Sequence, residues 1–93
     1  MDIRLKKIAD HFGLETQLKK LKEELNELII EVDKYISKCG EGFNLQQETF
    51  DVKCLIEQVE YLTGSTKKTQ DNIKEFKINR TLARIKEGYY DDK

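Results

Sequence analysis

The sequence predicts an all-α fold, and three observations carry that expectation. The 93 residues include no proline and only five glycines, so obligatory breaks are few. Apolar residues recur at three- and four-residue spacing along most of the chain. The residues between them are chiefly Lys, Glu and Asp, which helices tolerate or favour. Leu, Ile, Val and Phe number 26 of 93, about 28%, above the roughly 20% below which a charged chain stays disordered.

Four helices follow in order. Leu5, Ile8, Ala9 and Phe12 give a first helix at about 2–12, and Gly13 supplies a stop or kink. Leu14, Leu18, Leu21, Leu25, Leu28, Ile29, Val32 and Ile36 share one stripe and predict the longest helix, 14–38. Cys39-Gly40-Glu41-Gly42 breaks it. Val52, Leu55, Ile56, Val59 and Leu62 mark a third helix at 45–63, ending near Gly64. A fourth runs over 69–87 to Gly88, and residues 89–93 are expected to fray. The expected arrangement is a single domain over 1–93, a four-helix-bundle-like subunit whose last helix folds back on the others. So short a chain has a thin core, so a homo-oligomer is expected.

Counting excludes several chemistries. With 17 basic against 18 acidic residues, the net charge of -1 lacks the cationic surplus that captures nucleic acid or an anionic membrane. His11 is the lone histidine, so multi-histidine zinc sites lack ligands. Cys39 and Cys54 form no Cys-x-x-Cys and, without a signal-peptide pattern, read as reduced thiols of a soluble cytoplasmic protein. No apolar run approaches the roughly 18 to 20 residues that span a bilayer. Ser37 and Ser65 sit in no Gly-x-Ser-x-Gly, and Gly64-Ser65-Thr66-Lys67-Lys68 is not a phosphate loop. What remains is carboxylate and ammonium, and these are segregated. Residues 1–63 hold 13 acids and 9 bases, whereas residues 64–93 hold 5 acids and 8 bases.

Position on the helices sorts the acids. Measured from Leu14, the apolar stripe of the second helix centres at about 10°, with Glu23 at about 180°, Glu24 at about 280°, Glu27 at about 220° and Glu31 at about 260°. Glu23 faces water and Glu24 borders the core. The simplest alternative makes Glu24, Glu27 and Glu31 a solvated flank paired in part with Lys20, Lys34 or Tyr35. On the third helix, measured from Leu45, Glu48 falls at about 300°, inside a stripe centred at about 320°, and Asp51 at about 240° on its edge. A carboxylate inside an apolar stripe must be paired, protonated or bound to a cation. Glu24 with Glu27 and Glu48 with Asp51 form two i, i+3 pairs on consecutive helices, so side-by-side packing points four carboxylates into one pocket. Oxygen ligands without His or Cys select Mg²⁺, with Mn²⁺ as substitute. On the fourth helix Lys77, Arg80 and Arg84 share a face opposite Ile78, Leu82 and Ile85. Such a face is commonly just solvated, but beside a metal cluster it suits phosphate oxygens.

Glu23-Glu24-Leu25-Asn26-Glu27, followed after twenty residues by Glu48-Thr49-Phe50-Asp51, resembles the EExxE…ExxD signature of the MazG-like nucleoside triphosphate pyrophosphohydrolases. The stretch from His11 to Leu21 resembles that family's lead-in to its first acidic helix, and Lys77 to Tyr90 is similar to the ending of its short members. The resemblance implies an all-α homodimer or homotetramer that hydrolyses an NTP or dNTP to the monophosphate and pyrophosphate with Mg²⁺. It implies Glu24, Glu27, Glu48 and Asp51 as catalytic metal ligands, and Lys77, Arg80 and Arg84 as phosphate-binding residues. Asn72 and Tyr61 are further polar candidates. The short connection from Cys39 to Gln46 departs from larger members, so substrate enclosure falls to the N-terminal helix, the tail or another subunit. The alternative is a non-catalytic helical interaction module whose apolar stripes oligomerise or pair with a partner helix.

Overall fold

Asp2 starts the first helix: its carboxylate accepts the Arg4 backbone N–H at 2.9 Å and pairs with the Arg4 guanidinium at 2.6 Å. That guanidinium, with the backbone bond, holds the Asp2 carboxyl down at about 2. In the computed structural model, which describes residues 1–89 and 91, this helix, α1, runs Ile3–Ile36, α2 runs Gly42–Leu62, and α3 runs Lys67–Lys86. The fold is all-α. Of the tail expected at 89–93, Tyr90, Asp92 and Lys93 lie outside the described residues. Among the described residues no helix is long and apolar enough to cross a membrane.

The first two expected helices are one element bent at Gly13, whose backbone (φ 81°, ψ 170°) leaves the helical region. That φ is open to glycine and strained for a side-chain-bearing residue. The helix ends come from capping rather than from the last apolar residue. α1 stops at Ile36, not 38, because Lys38 takes φ 62°, with Lys38 N–H on the Tyr35 carbonyl at 3.1 Å and Cys39 N–H on the Lys34 carbonyl at 2.9 Å. Gly40 follows where a Cβ would lie 2.8 Å from Lys34 Cβ. The same pair of bonds closes α2 through Gly64 and α3 through Gly88. α3 starts at 67 rather than 69 because Thr66 Oγ1 accepts the Thr69 N–H at 3.2 Å. α2 starts at 42 rather than 45, with extended Glu41 before it.

α1 and α2 form an antiparallel hairpin. Its register is read from cross-helix neighbours: Tyr61 O–H donates to Asp10 Oδ1 at 2.7 Å, Gln17 Nε2 donates to Gln58 Oε1 at 2.7 Å, and Glu24 faces Glu48. The buried apolar residues are Ala9, Val52 and Leu55, accompanied by buried Gln17, Gln58 and Glu24. α1 thus meets α2 with one flank of its stripe. Gln17 and Glu24 lie at about 300° and 280° on the wheel, whereas Leu14, Leu18, Leu25, Ile29 and Val32, at about 0° to 60°, stay exposed.

The four-helix-bundle arrangement is corrected in one respect. α3 does not fold back: it packs on neither α1 nor α2, buries no residue, and leaves Ile73, Phe76, Ile78, Leu82 and Ile85 exposed. The radius of gyration is 16.7 Å, against about 12 Å for a compact chain of this length. The accessible surface is 7664 Å², about 2,000 Å² more than a folded monomer of this mass presents.

Candidate metal centre

Glu24 and Glu27 stand one turn apart on α1, and Glu48 faces them from α2 because it occupies the packed face of its helix. One carboxylate oxygen of each lies within 4.8 Å of the others. Ligands of one octahedral Mg²⁺ sit at most about 4.2 Å apart, twice the roughly 2.1 Å bond, so a small closure brings all three into one shell. Glu24 is nine-tenths buried; its Oε1 lies 3.5 Å from Lys20 Nζ, while its Oε2 is buried without a hydrogen-bond partner. Glu48 Oε2 is likewise buried, and neither oxygen has a hydrogen-bond partner among the described residues. Buried acceptors are normally satisfied, so such oxygens mark a place for a proton or a cation.

Burial is the first cause that pushes the Glu48 carboxyl up to about 7; the adjoining Glu24 carboxylate and the charges of Glu27 and Asp51 add to it. Asp51 does not join the three converging oxygens. It is exposed one turn beyond Glu48, its charge is felt at Glu48, and it lines the neighbouring cavity together with Glu24.

The other expected residues separate clearly. Glu23 faces solvent, 3.6 Å from Lys20 Nζ, as its angle requires. Glu31, grouped by sequence with the solvated flank, has a buried and unpartnered Oε2, with its Oε1 3.7 Å from Lys34 Nζ. The signal was there: its angle of about 260° lies next to that of Glu24. Lys77, Arg80 and Arg84 are on α3, remote from the acids because that helix projects away. Arg80 lies 5.4 Å from the Phe76 ring centre and Arg84 4.9 Å from that of Tyr89. Tyr61 is held by Asp10, Asn72 is exposed on α3, and His11 packs edge-on against Phe12. Cys39 and Cys54 are free thiols.

Beside the acids lies a cavity of about 590 Å³ between the two helices, within the size range of small-molecule sites. Ile8, Phe12, Thr16, Lys20 and Glu24 descend one wall at four-residue intervals, and Phe50, Asp51, Cys54 and Leu55 form the other. Gln17, absent from the sequence-derived candidates, also lines it. No family model, curated protein or solved structure matches the chain.

Proposed function

We propose that the chain is a MazG-like, Mg²⁺-dependent pyrophosphohydrolase that converts an NTP or dNTP to the monophosphate and pyrophosphate. The observation that supports this reading most is the convergence of Glu24, Glu27 and Glu48, two of them with buried, unpartnered oxygens, beside a cavity of ligand size. Three oxygen donors without nitrogen or sulfur suit Mg²⁺ or Mn²⁺. Glu24, Glu27 and Glu48 would hold the ion, and Asp51, whose charge is felt at Glu48, would hold a second or join when substrate arrives. Bound Mg²⁺ supplies neutralisation of phosphate charge and a water of lowered pKa. The chain's own part would be to hold the α-phosphorus open to water, so that hydrolysis forms one P–O bond, breaks the α–β anhydride bond and passes the proton to solvent. Free Cys39 and Cys54 suit a reducing, cytoplasmic setting.

The basic face belongs to the same reading through a second copy. α3 approaches neither acidic helix of its own chain, so Lys77, Arg80 and Arg84 reach the triphosphate from a neighbouring subunit. The surface excess of about 2,000 Å² per chain is of the size that obligate dimers bury, which supports a homodimer or homotetramer. The unpartnered apolar faces of α1 and α3 also favour a second reading, a non-catalytic interaction module.

Pyrophosphate release from a panel of NTPs and dNTPs, with and without Mg²⁺, separates the two. Turnover that requires Mg²⁺ and vanishes in Glu48→Gln is expected. A folded oligomer that hydrolyses none of them leaves the interaction module standing.

A further inference from the structure

The buried amides next to the acids have a fixed polarity. The Cys54 carbonyl can only accept, and Gln58 Nε2 donates to it at 3.2 Å. Gln58 therefore turns Oε1 toward Gln17, and Gln17 must answer with Nε2, which it does at 2.7 Å. Flipping either amide would set donor against donor or acceptor against acceptor. Gln17 is 4% exposed, lines the cavity, and among the described residues its Oε1 has no hydrogen-bond partner. The cavity thus carries an oriented acceptor that an apolar core has no use for.

Its position relative to the acids defines what it can meet. Gln17 precedes Glu24 by two helical turns, about 10 Å along α1, comparable to the span from an α-phosphate across the sugar to the far edge of a base. Phe12 and Phe50 are aromatic residues lining the same cavity, and Ile8 and Leu55 contribute apolar wall. Resting on the pyrophosphohydrolase reading, we propose that this cavity receives the nucleobase and that Gln17 Oε1 selects bases carrying an exocyclic amino group, cytosine or adenine, over their keto counterparts. The N4 amino group of cytosine and the N6 amino group of adenine donate to Oε1. In uracil or hypoxanthine a carbonyl oxygen takes that place and confronts Oε1 lone pair to lone pair, with the amide unable to turn.

The test uses pairs that exchange the amino group for a carbonyl, with the adjoining ring nitrogen gaining a hydrogen, CTP against UTP and dATP against dITP, on the wild-type protein. Hydrolysis is measured with Mg²⁺, and binding by calorimetry with Ca²⁺ to hold turnover back. The expected result is a ten- to hundred-fold preference, in affinity and in kcat/KM, for the amino member of both pairs. Gln17→Leu, with folding checked by circular dichroism, should bring each pair to within about two-fold; the wild-type comparison stands whether or not that variant folds. Hydrolysis with no amino preference, or a preference that survives in folded Gln17→Leu, overturns the assignment and leaves the pyrophosphohydrolase intact. Amino-selective binding without hydrolysis supports the assignment and removes the enzyme. Neither binding nor hydrolysis overturns both.

Discussion

Replacing Glu48 by Gln separates what the acid cluster costs the fold from what it does. The Glu48 carboxyl, near 4.5 when unperturbed, is held at about 7 in the folded chain. Between those values the folded chain keeps a proton that the unfolded chain has released. The Glu48 contribution to metal-free stability is therefore fully present below pH 4.5, is lost as pH rises to about 7, and then levels. The Asp2 window is separate: its carboxyl is lowered to about 2, so its contribution is lost only as pH falls below 3.8. Mg²⁺ should reverse the loss near neutrality. At a hundred times its dissociation constant it adds about 2.7 kcal/mol. At roughly 4 to 8 °C per kcal/mol for a domain of this size, the melting temperature rises by about 11 to 22 °C. Glu48→Gln keeps the size of the side chain and removes the charge. Its metal-free melting temperature at pH 8 should exceed that of wild type, its slope between pH 4.5 and 7 should be flat, and its response to Mg²⁺ should shrink. Thermal melts by circular dichroism from pH 4 to 8, in EDTA and in saturating MgCl₂, read all three. A wild-type melting temperature that ignores Mg²⁺, together with an unchanged slope in the variant, would refute the argument that these oxygens await a cation.

Lys38→Gly should stabilise the chain by about 1 kcal/mol, since a left-handed φ costs a side-chain-bearing residue roughly 1–2 kcal/mol and glycine returns part of that as entropy; urea unfolding checks it. Ile78→Asp with Leu82→Asp should convert the proposed oligomer to monomer in sedimentation velocity, because both residues are exposed on a helix that packs on neither α1 nor α2. Lys77→Glu with Arg80→Glu should lower kcat/KM by at least ten-fold. Mixing that weakened variant with inactive Glu48→Gln should restore part of the lost activity, because in a shared site some pairs then combine intact acids from one chain with intact bases from another. Absence of recovery after subunit exchange argues against a shared site.

The helices were legible because glycine placement and apolar spacing are local properties. Glu48 was legible for the same reason: a carboxylate at about 300° on an apolar face is anomalous whatever packs there. The course of α3 was not, since its turn at Gly64 is compatible with folding back or with projecting, and only tertiary contacts decide. The face of α1 that meets α2 lies more than half a right angle from the stripe. The leucine stripe centres at about 10°, while the buried residues centre near Gln17 and Glu24, because the stripe has more apolar surface than one partner helix covers. Gln17 is not legible in the sequence, because a glutamine on a helix carries no signal by itself. Its meaning comes from Gln58 and the Cys54 carbonyl, about forty residues away in sequence.

The bend at Gly13 makes the size of the cavity a property written in the backbone. A Cβ at Gly13 would meet nothing within 4 Å, so by contacts alone the position looks tolerant of any residue. Yet its φ of 81° aims Ile8 and Phe12 at the upper wall and keeps Ala9 and Asp10 against α2. An alanine there favours an unbroken rod, and a rod turns the first ten residues as a lever about their own attachment. In a saturation library, the position with the emptiest surroundings should therefore rank among the least permissive, and its variants should alter which ligands fit before they alter whether the hairpin folds.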